Sequence, residues 1–227
     1  MNVKQEMQIP WHCIWITGAG RGIGAALARL LCERGATVYG SARNLDELNE
    51  LQSSLVSAPG KFIPVPLDIR RPAEIAALFE RWDREQRFPE LVVLNAGTHD
   101  PASAEALRDV LQENFAGQRP ILLIGMLADK NWKPFVEIIA PMADRIVCIP
   151  VSSERTLSPA QLAEECRRHC SQVIEVESLQ EGLETVKDDP FVILTGSIYL
   201  IGEAMEELGL ADAVGERGLN EWKMSQP

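Results

Sequence analysis

The sequence predicts an α/β fold, a three-layer, doubly wound, Rossmann-like parallel sheet of about eight strands. Short, continuous apolar runs alternate with segments whose apolar residues recur at helical spacing, the pattern of a parallel sheet covered on both faces. A glycine-rich turn follows the first apolar run and opens the first helical segment. The chain has 227 residues, of which 46% are apolar, and this is enough for one large domain.

The first half of the chain contains four predicted strands and three predicted helices. The strands are placed at 13–17, 37–41, 62–67 and 91–94. The helices are placed at 23–34, 45–55 and 72–85. Asn44 is a suitable N-cap for the second helix. Pro64 and Pro66 favour an edge position for the third strand, because proline donates no ladder hydrogen bond.

The same alternation continues to about residue 208. Strands are predicted at 121–125, 145–151, 173–176 and 191–195. Helices are predicted at 100–114, 132–142, 158–169, after residue 178 and at 198–208. Ser178 and Glu181 have the spacing of a capping box. No linker separates the two halves near residue 97, so we expect both in one sheet, followed by a loosely docked tail at 210–227.

The charge of the chain is unevenly distributed. Residues 1–97 hold 11 basic and 11 acidic side chains, whereas residues 98–227 hold 11 basic and 22 acidic ones and carry the whole net charge of −11. An acidic chain without a Lys/Arg cluster is a poor binder of nucleic acid or of anionic membranes. No apolar run approaches the roughly 18 residues of a membrane helix. There is no signal-peptide core or disulfide framework, so we expect a cytoplasmic protein.

The strongest chemical signal is the segment TGAGRGIG at 17–24. Glycines let the backbone turn tightly and approach a pyrophosphate, whose charge then meets the free N–H groups at the helix N-terminus. A tight turn without a ligand is the alternative. No acidic residue ends the second strand, where NAD sites usually carry one. Arg21 and Arg43 instead favour a clamp for a 2′-phosphate, and so NADP over NAD, although each is also compatible with a solvated surface arginine.

Residues 10–97 resemble the short-chain dehydrogenase/reductase family. The resemblance rests on TGAGRGIG at 17–24, SAR at 41–43, LDI at 67–69 and NAG at 95–97. It implies that Asp68 and Ile69 flank the adenine of the cofactor, and that residues 95–97 lie along the adenosine ribose. The complete candidate cofactor site comprises Gly18, Gly20, Arg21, Gly22, Ile23, Gly24, Arg43, Asp68, Ile69, Asn95, Ala96 and Gly97.

The catalytic residues of that family are not found. The family uses a serine after strand five and a Tyr-x-x-x-Lys sequence, in which lysine lowers the pKa of the proton-donating tyrosine. This chain has two tyrosines: Tyr39 falls on the second strand, and Tyr199 is followed four residues later by Glu203. A carboxylate raises the pKa of a neighbouring phenol. We therefore assign no catalytic residue, and Tyr199 or His99 remain the candidate acids of an alternative oxidoreductase.

From about residue 91 to 208 the chain resembles the C-terminal domain of folylpolyglutamate synthases, which belong to the Mur ligase superfamily. The resemblance rests on the segments 98–107, 125–130 and 195–203. The family's Asp-Gly-Ala-His-Asn-Pro motif corresponds to 95–101, where Asn95 replaces the leading aspartate and the spacing is one residue longer. ATP-dependent ligation needs a G-x-x-x-x-G-K-[ST] loop, and these 227 residues contain none. His99, Asp129 and Lys130 are therefore interpreted as loop charges or as part of a residual site.

Strand four belongs to both resemblances, which places the join inside one sheet. The two family topologies together imply the strand order 3-2-1-4-8-5-6-7, and strand five beside strand four would contradict it. We expect a dehydrogenase-like half at 1–97 and a ligase-like half at 98–209. Our preferred interpretation is an engineered chimera that binds NADP(H) without a complete catalytic set. An oxidoreductase with a non-standard acid and a purely structural chimera without a ligand are the alternatives.

Two further expectations concern metals and partners. Cys166, His169 and Cys170 share one face of a predicted helix, a spacing that suits part of a metal site. No complementary pair occurs elsewhere, so we interpret them as a half-buried helix face and expect no metal. The helices used by dehydrogenase dimers and tetramers have no counterpart, so we expect a monomer whose partner is the dinucleotide.

Overall fold

The computed structural model describes residues 9–85, 87–95, 104–105, 108–109, 119–197, 200 and 202–203. These residues contain one parallel sheet of eight strands. The strands are β1 (Cys13–Thr17), β2 (Thr37–Ala42), β3 (Lys61–Pro66), β4 (Leu91–Leu94), β5 (Ile121–Gly125), β6 (Arg145–Cys148), β7 (Val173–Glu175) and β8 (Val192–Gly196). Their order across the sheet is β3-β2-β1-β4-β8-β5-β6-β7.

Helices cover both faces of the sheet. They are α1 (Gly22–Glu33), α2 (Leu45–Ser54), α3 (Pro72–Glu85), α4 (Lys133–Ile139), α5 (Pro159–Cys166) and α6 (Leu179–Val186), with a 3₁₀ turn at Ala140–Met142. Buried residues of α1, α2 and α6 belong to one core cluster, and those of α3, α4 and α5 belong to a second. The predicted three-layer architecture is therefore confirmed.

The strand order is confirmed as well. Val192 of β8 pairs with Leu91 of β4 on one side and with Ile121 of β5 on the other, so β8 separates the two. β3 lies at the edge of the sheet, where Pro64 and Pro66 leave no ladder donor unpaired. The two halves of the chain thus share one continuous sheet.

An aromatic cluster fills the second core beneath β1 and β2. Trp82 of α3 is fully buried, and its ring meets those of Trp15, Tyr39 and Phe79 edge-on at centroid distances of 5.3, 5.3 and 5.0 Å. Edge-to-face pairs of this kind add stability beyond the area they bury. Trp15 and Trp82 are thus packing residues.

Several element ends differ from those predicted. β6 ends at Cys148 rather than at residue 151, because Pro150 has no N–H to continue the ladder. The predicted helix 132–142 divides into α4 and the 3₁₀ turn, which contains Pro141. The Ser178 hydroxyl accepts from the Glu181 N–H, but Glu181 Oε2 accepts from Glu177 N, 2.9 Å away, so the capping box is not reciprocal.

Part of the chain lies outside the described residues. This applies to most of the predicted helices at 100–114 and 198–208, of which residues 104–105, 108–109, 200 and 202–203 are described and helical. The expected tail at 210–227 lies wholly outside them. Within the described helices, none combines the length and apolarity required to cross a bilayer.

Candidate functional site

The candidate site lies at the carboxyl end of β1, where the chain turns into α1. α1 belongs to the first core cluster, whereas Ala104, in the helical stretch after β4, belongs to the second. The chain therefore leaves two neighbouring strands toward opposite faces of the sheet. Ligands of open α/β sheets bind in the crevice that such a divergence creates.

Three glycines fix the path of the turn. Gly18 and Gly22 have φ angles of +71° and +58°, the left-handed region that favours glycine. Gly24 is required for a different reason: a Cβ there would lie 2.2 Å from the Gly18 carbonyl oxygen and 2.5 Å from Asn95 Nδ2. The turn is thus packed against the first turn of α1 as closely as two backbones allow.

The N-terminus of α1 carries no side-chain cap. Its preceding residue, Arg21, is extended and caps nothing, and no acidic residue occupies the first turn. Asn44, Ser158 and Ser178 cap α2, α5 and α6, whereas α4, like α1, has no side-chain cap. The first N–H groups of a helix have no intrahelical acceptor, and the helix dipole adds partial positive charge there. The end of α1 is therefore suited to an anion.

Asn95, the first residue after β4, closes the site from the neighbouring strand. Its Nδ2 donates to the carbonyl oxygen of Gly18 over 3.2 Å. Its Oδ1 is buried and has no hydrogen-bond partner among the described residues. An amide with one orphaned acceptor is suited to a hydroxyl donor from a ligand. Ala96 and Gly97 lie outside the described residues.

The two arginines of the predicted clamp are both exposed. Neither Arg21 nor Arg43 forms an ion pair with another described residue. Hydrogen bonds from Arg70 account for most of the lowering of the Asp68 pKa, and the charge of Arg43 adds a smaller part. Both guanidinium groups thus remain available to an external anion.

Asp68 and Ile69 lie just after the end of β3. Arg70 donates to the Asp68 carboxylate from its backbone N, Nε and Nη2 at 3.1, 3.0 and 2.7 Å. These bonds hold the pKa of Asp68 well below its ordinary value, so it stays ionised and fixed. Ile69 is half-buried and packs against the second core.

One residue at the site was missed by the sequence reasoning. A Cβ on Gly20 would lie 2.6 Å from Glu47 Oε2 and 3.1 Å from the Ala42 Cβ. The carboxylate of Glu47, in the first turn of α2, therefore lies against the glycine turn. The sequence offers no signal for this contact, because an acid in a first helical turn is ordinary on dipole grounds alone.

The candidate catalytic groups are not brought into the described site. Tyr39 is buried beneath the sheet in the aromatic cluster, and burial raises the pKa of its phenol. His99 and Tyr199 lie outside the described residues. Asp129 forms an ion pair with Arg155 at 2.9 Å, as expected of a loop charge, and Lys130 is exposed.

The predicted helix face of Cys166, His169 and Cys170 is not formed as a whole, because α5 ends at Cys166 rather than at residue 169. Cys166 and Cys170 are buried, and Cys170 Sγ contacts backbone carbonyl oxygens, including that of Gln172 at 3.4 Å. Across the part of the chain that the structure describes, no three His, Cys, Asp or Glu side chains are placed to hold a metal ion.

Comparison with known proteins finds two families in this chain. The short chain dehydrogenase family matches residues 12–118, and the Mur ligase glutamate ligase domain family matches residues 80–198. The two matches overlap at 80–118, which includes β4. The strand that both resemblances share is thus the strand where both families are found.

The relatives are similar over different lengths. A mouse protein, dehydrogenase/reductase SDR family member 1, is 44% identical over 80 residues, which are 35% of this chain and only 26% of the mouse protein. The NADPH-dependent pterin aldehyde reductase of Arabidopsis thaliana is 28% identical over 196 residues, covering 80% of this chain and 75% of that protein. The folylpolyglutamate synthase of Mycobacterium tuberculosis, solved with ADP and AMPPCP, is 25% identical with a TM-score of 0.44, covering 52% of this chain and 29% of that one.

The fold and the glycine turn define a Rossmann-like α/β protein. The ligase match covers more than half of the chain, so the chain belongs to the Mur ligase glutamate ligase domain family over residues 80–198. The preceding segment, which shares β4 with this domain, is similar to the short chain dehydrogenase family over residues 12–118.

Proposed function

We propose that this protein binds NADP(H) at the β1–α1 turn and has no complete catalytic set. The observation that carries the proposal is the uncapped N-terminus of α1, which opens from a turn held by Gly18 and Gly24. Backbone N–H groups in this arrangement bind a pyrophosphate. Asn95 supplies a buried acceptor without a described partner, and the family resemblance implies that this residue lies along the adenosine ribose.

The preference for NADP over NAD is part of the proposal. It rests on Arg21 and Arg43, which are exposed and make no described ion pair. Guanidinium groups bind phosphate through paired, charge-assisted hydrogen bonds. The reductase of A. thaliana named above is NADPH-dependent, and this agrees with the same preference here.

The absence of carbonyl reduction is also proposed from the residues present. Tyr39 is enclosed by the aromatic cluster, and its phenol has a raised pKa where catalysis needs a lowered one. Tyr199 has Glu203 four residues later in place of lysine. The dinucleotide would supply hydride when bound, and this chain's contribution is to bind and orient its adenosine and phosphate groups.

We further propose how the chain is organised. Residues 1–97 form the dehydrogenase-like half, residues 98–209 the ligase-like half, and residues 210–227 a tail. An engineered recombination within β4 accounts for two families that meet in one shared strand. All five cysteines are free, which is consistent with a reducing, cytoplasmic environment, and the expected state is a monomer.

Thermal unfolding with NADPH, NADP⁺, NADH and NAD⁺ tests the function. A ligand that binds only the folded protein raises its stability by mass action, by about 2.7 kcal/mol at one hundred times Kd. We expect the largest shift with NADPH and NADP⁺, and smaller shifts for Arg21→Ala and Arg43→Ala. Arg84→Ala is the matched control, because Arg84 is exposed on α3.

Other results of these measurements favour the purely structural chimera or the oxidoreductase with a non-standard acid. No shift with any dinucleotide supports the purely structural chimera. Equal shifts with NADH and NADPH overturn the arginine clamp. NADPH oxidation with any member of a carbonyl panel overturns the catalytic part of the proposal and supports an oxidoreductase with a non-standard acid. Size-exclusion chromatography with light scattering tests the monomer.

A further inference from the structure

The side chain of Glu47 lies against the glycine turn of the candidate site. Its Oε2 lies against Gly20, at 2.6 Å from the position that a Cβ there would take, and its Cβ lies 3.4 Å from the same position. Ala42 is the other neighbour of that position, at 3.1 Å. The carboxylate therefore lies where the glycine turn and the end of β2 meet.

These neighbours link Glu47 to the proposed phosphate clamp. Gly20 precedes Arg21, and Ala42, which borders the same position beside Gly20, precedes Arg43. Glu47 is half-buried, and it forms no hydrogen bond or ion pair within 4 Å with another described residue. Glu47 is thus a half-buried carboxylate with no described ion-pair partner, and it lies against the residue that precedes Arg21.

A carboxylate and a guanidinium have opposite preferences between the 2′-hydroxyl of NAD(H) and the 2′-phosphate of NADP(H). A carboxylate accepts a hydrogen bond from a ribose 2′-hydroxyl and repels a 2′-phosphate, whereas a guanidinium attracts the phosphate. Partial burial strengthens both effects, because the effective dielectric constant is lower than in bulk water. The carboxylate lies against Gly20 and would act on a group bound beside that residue.

We propose that Glu47 is a specificity-determining residue, which accepts from the 2′-hydroxyl of NAD(H) and opposes the 2′-phosphate of NADP(H). The proposal rests on the dinucleotide function given above. Arg21 and Arg43 favour NADP(H) over NAD(H), and Glu47 opposes this preference. The ratio of the NADP(H) affinity to the NAD(H) affinity is therefore smaller than the two arginines alone would produce.

Calorimetric titration of NADP⁺ and NAD⁺ at low ionic strength tests the role of Glu47. Glu47→Gln retains the shape of the side chain and removes its charge. We expect the ratio of the NAD⁺ Kd to the NADP⁺ Kd to rise by about tenfold, because one charge repulsion is relieved and one charge-assisted hydrogen bond is weakened. Glu47→Asp retains the charge but withdraws it from Gly20, and it should raise the ratio by a smaller factor.

The matched control is Glu50→Gln. Glu50 is exposed and lies on α2, three residues after Glu47. Glu50→Gln changes the net charge of the protein by the same amount as Glu47→Gln. We expect it to change the ratio by less than about twofold, because exposed charges are screened by solvent and salt. An effect of Glu50→Gln equal to that of Glu47→Gln means that long-range charge alone acts, and it overturns the proposal.

Binding by the wild-type protein and by the Glu47 variants separates the role of Glu47 from the dinucleotide function. If the wild-type protein binds a dinucleotide and Glu47→Gln changes the Kd ratio by less than twofold, the proposed role of Glu47 is wrong and the dinucleotide function stands. A wild-type protein that binds neither dinucleotide overturns both. If Glu47→Gln does not fold, the Glu47→Asp variant decides, since an unchanged ratio in that variant contradicts the proposal.

Discussion

Asn95 Nδ2 donates a hydrogen bond to the carbonyl oxygen of Gly18 over 3.2 Å, and so joins the end of β4 to the turn after β1. Both residues lie within the dehydrogenase match, and β4 is also the first strand of the ligase match. The contact that shapes the candidate site is therefore made by the residue directly after the strand that the two families share.

Asn95→Ala removes this contact. We expect it to lower the free energy of unfolding by about 1 kcal/mol, the typical net worth of one hydrogen bond, and to reduce the stabilisation by NADPH. Urea unfolding and thermal titration with NADPH measure the two effects. Asn49→Ala, at an exposed position on α2, is the control. Equal behaviour of the two variants would show that the Asn95 side chain contributes nothing.

Gly24→Ala places a Cβ 2.2 Å from the Gly18 carbonyl oxygen, a backbone atom that cannot rotate away. We expect a loss of about 1–3 kcal/mol of unfolding free energy, as for other overpacked sites. Gly202→Ala is the opposite case, because Gly202 is helical and a Cβ there meets nothing within 4 Å. It should be neutral or stabilising by up to about 1 kcal/mol. Chemical denaturation ranks the two, and a Gly24 variant as stable as the Gly202 variant contradicts the close approach.

The Asp68–Arg70 contact predicts an acid-dependent stability. The folded-state pKa of Asp68 lies below its ordinary value of 3.8, so the folded protein binds the proton less readily than the unfolded chain. Its contribution is present above that ordinary value and is lost as the pH falls through the lower, folded-state pKa. Asp68→Asn should therefore flatten the pH dependence of unfolding below about pH 4.

Urea unfolding of the wild-type protein and Asp68→Asn from pH 2 to pH 6 measures this dependence. Asp46→Asn is a suitable comparison, because Asp46 is also near a helix start and is exposed. If the wild-type and Asp68→Asn curves are parallel throughout, the ion pair contributes nothing to acid sensitivity.

Trp82→Ala removes the centre of the aromatic cluster, where three rings meet the indole edge-on. We expect a loss of about 3–5 kcal/mol of unfolding free energy, as for other buried aromatic truncations. Val56→Ala is the control, because the Val56 side chain is 82% exposed, and its effect should stay within about 0.5 kcal/mol. Guanidinium denaturation followed by circular dichroism compares them, and equal midpoints would rule out a packing role for Trp82.

Much of the fold was predictable because the signals are local. Continuous apolar runs locate the strands of a parallel sheet, and Asn44 does cap α2 by accepting from the Asp46 N–H at 3.0 Å. The position of β8 between β4 and β5 is different. Nothing local to residues 192–196 dictates it, and only the combination of two family resemblances predicted it.

The site was predictable to the extent that its motifs are contiguous. Gly18, Gly22 and Gly24 follow from one glycine-rich segment, and the structure confirms the turn that they form. Their role in binding a cofactor stays a prediction. Glu47 could not be found in this way, because its contact with Gly20 depends on how α2 packs against a turn 27 positions earlier. Side-chain contacts between elements are set by tertiary packing, which no short motif encodes.

The placement of β8 has a consequence for the order in which the molecule can assemble. A ribosome releases β1 to β4 first and β5 to β7 next, and β8, whose Val192 pairs with Leu91 about 100 positions earlier, comes last. Until then, β4 and β5 each expose an unpaired edge that another nascent chain can extend. Synthesis that stops before residue 192 therefore leaves the edges of β4 and β5 unpaired. Insertion of β8 pairs both edges and so removes two sites of edge-to-edge aggregation.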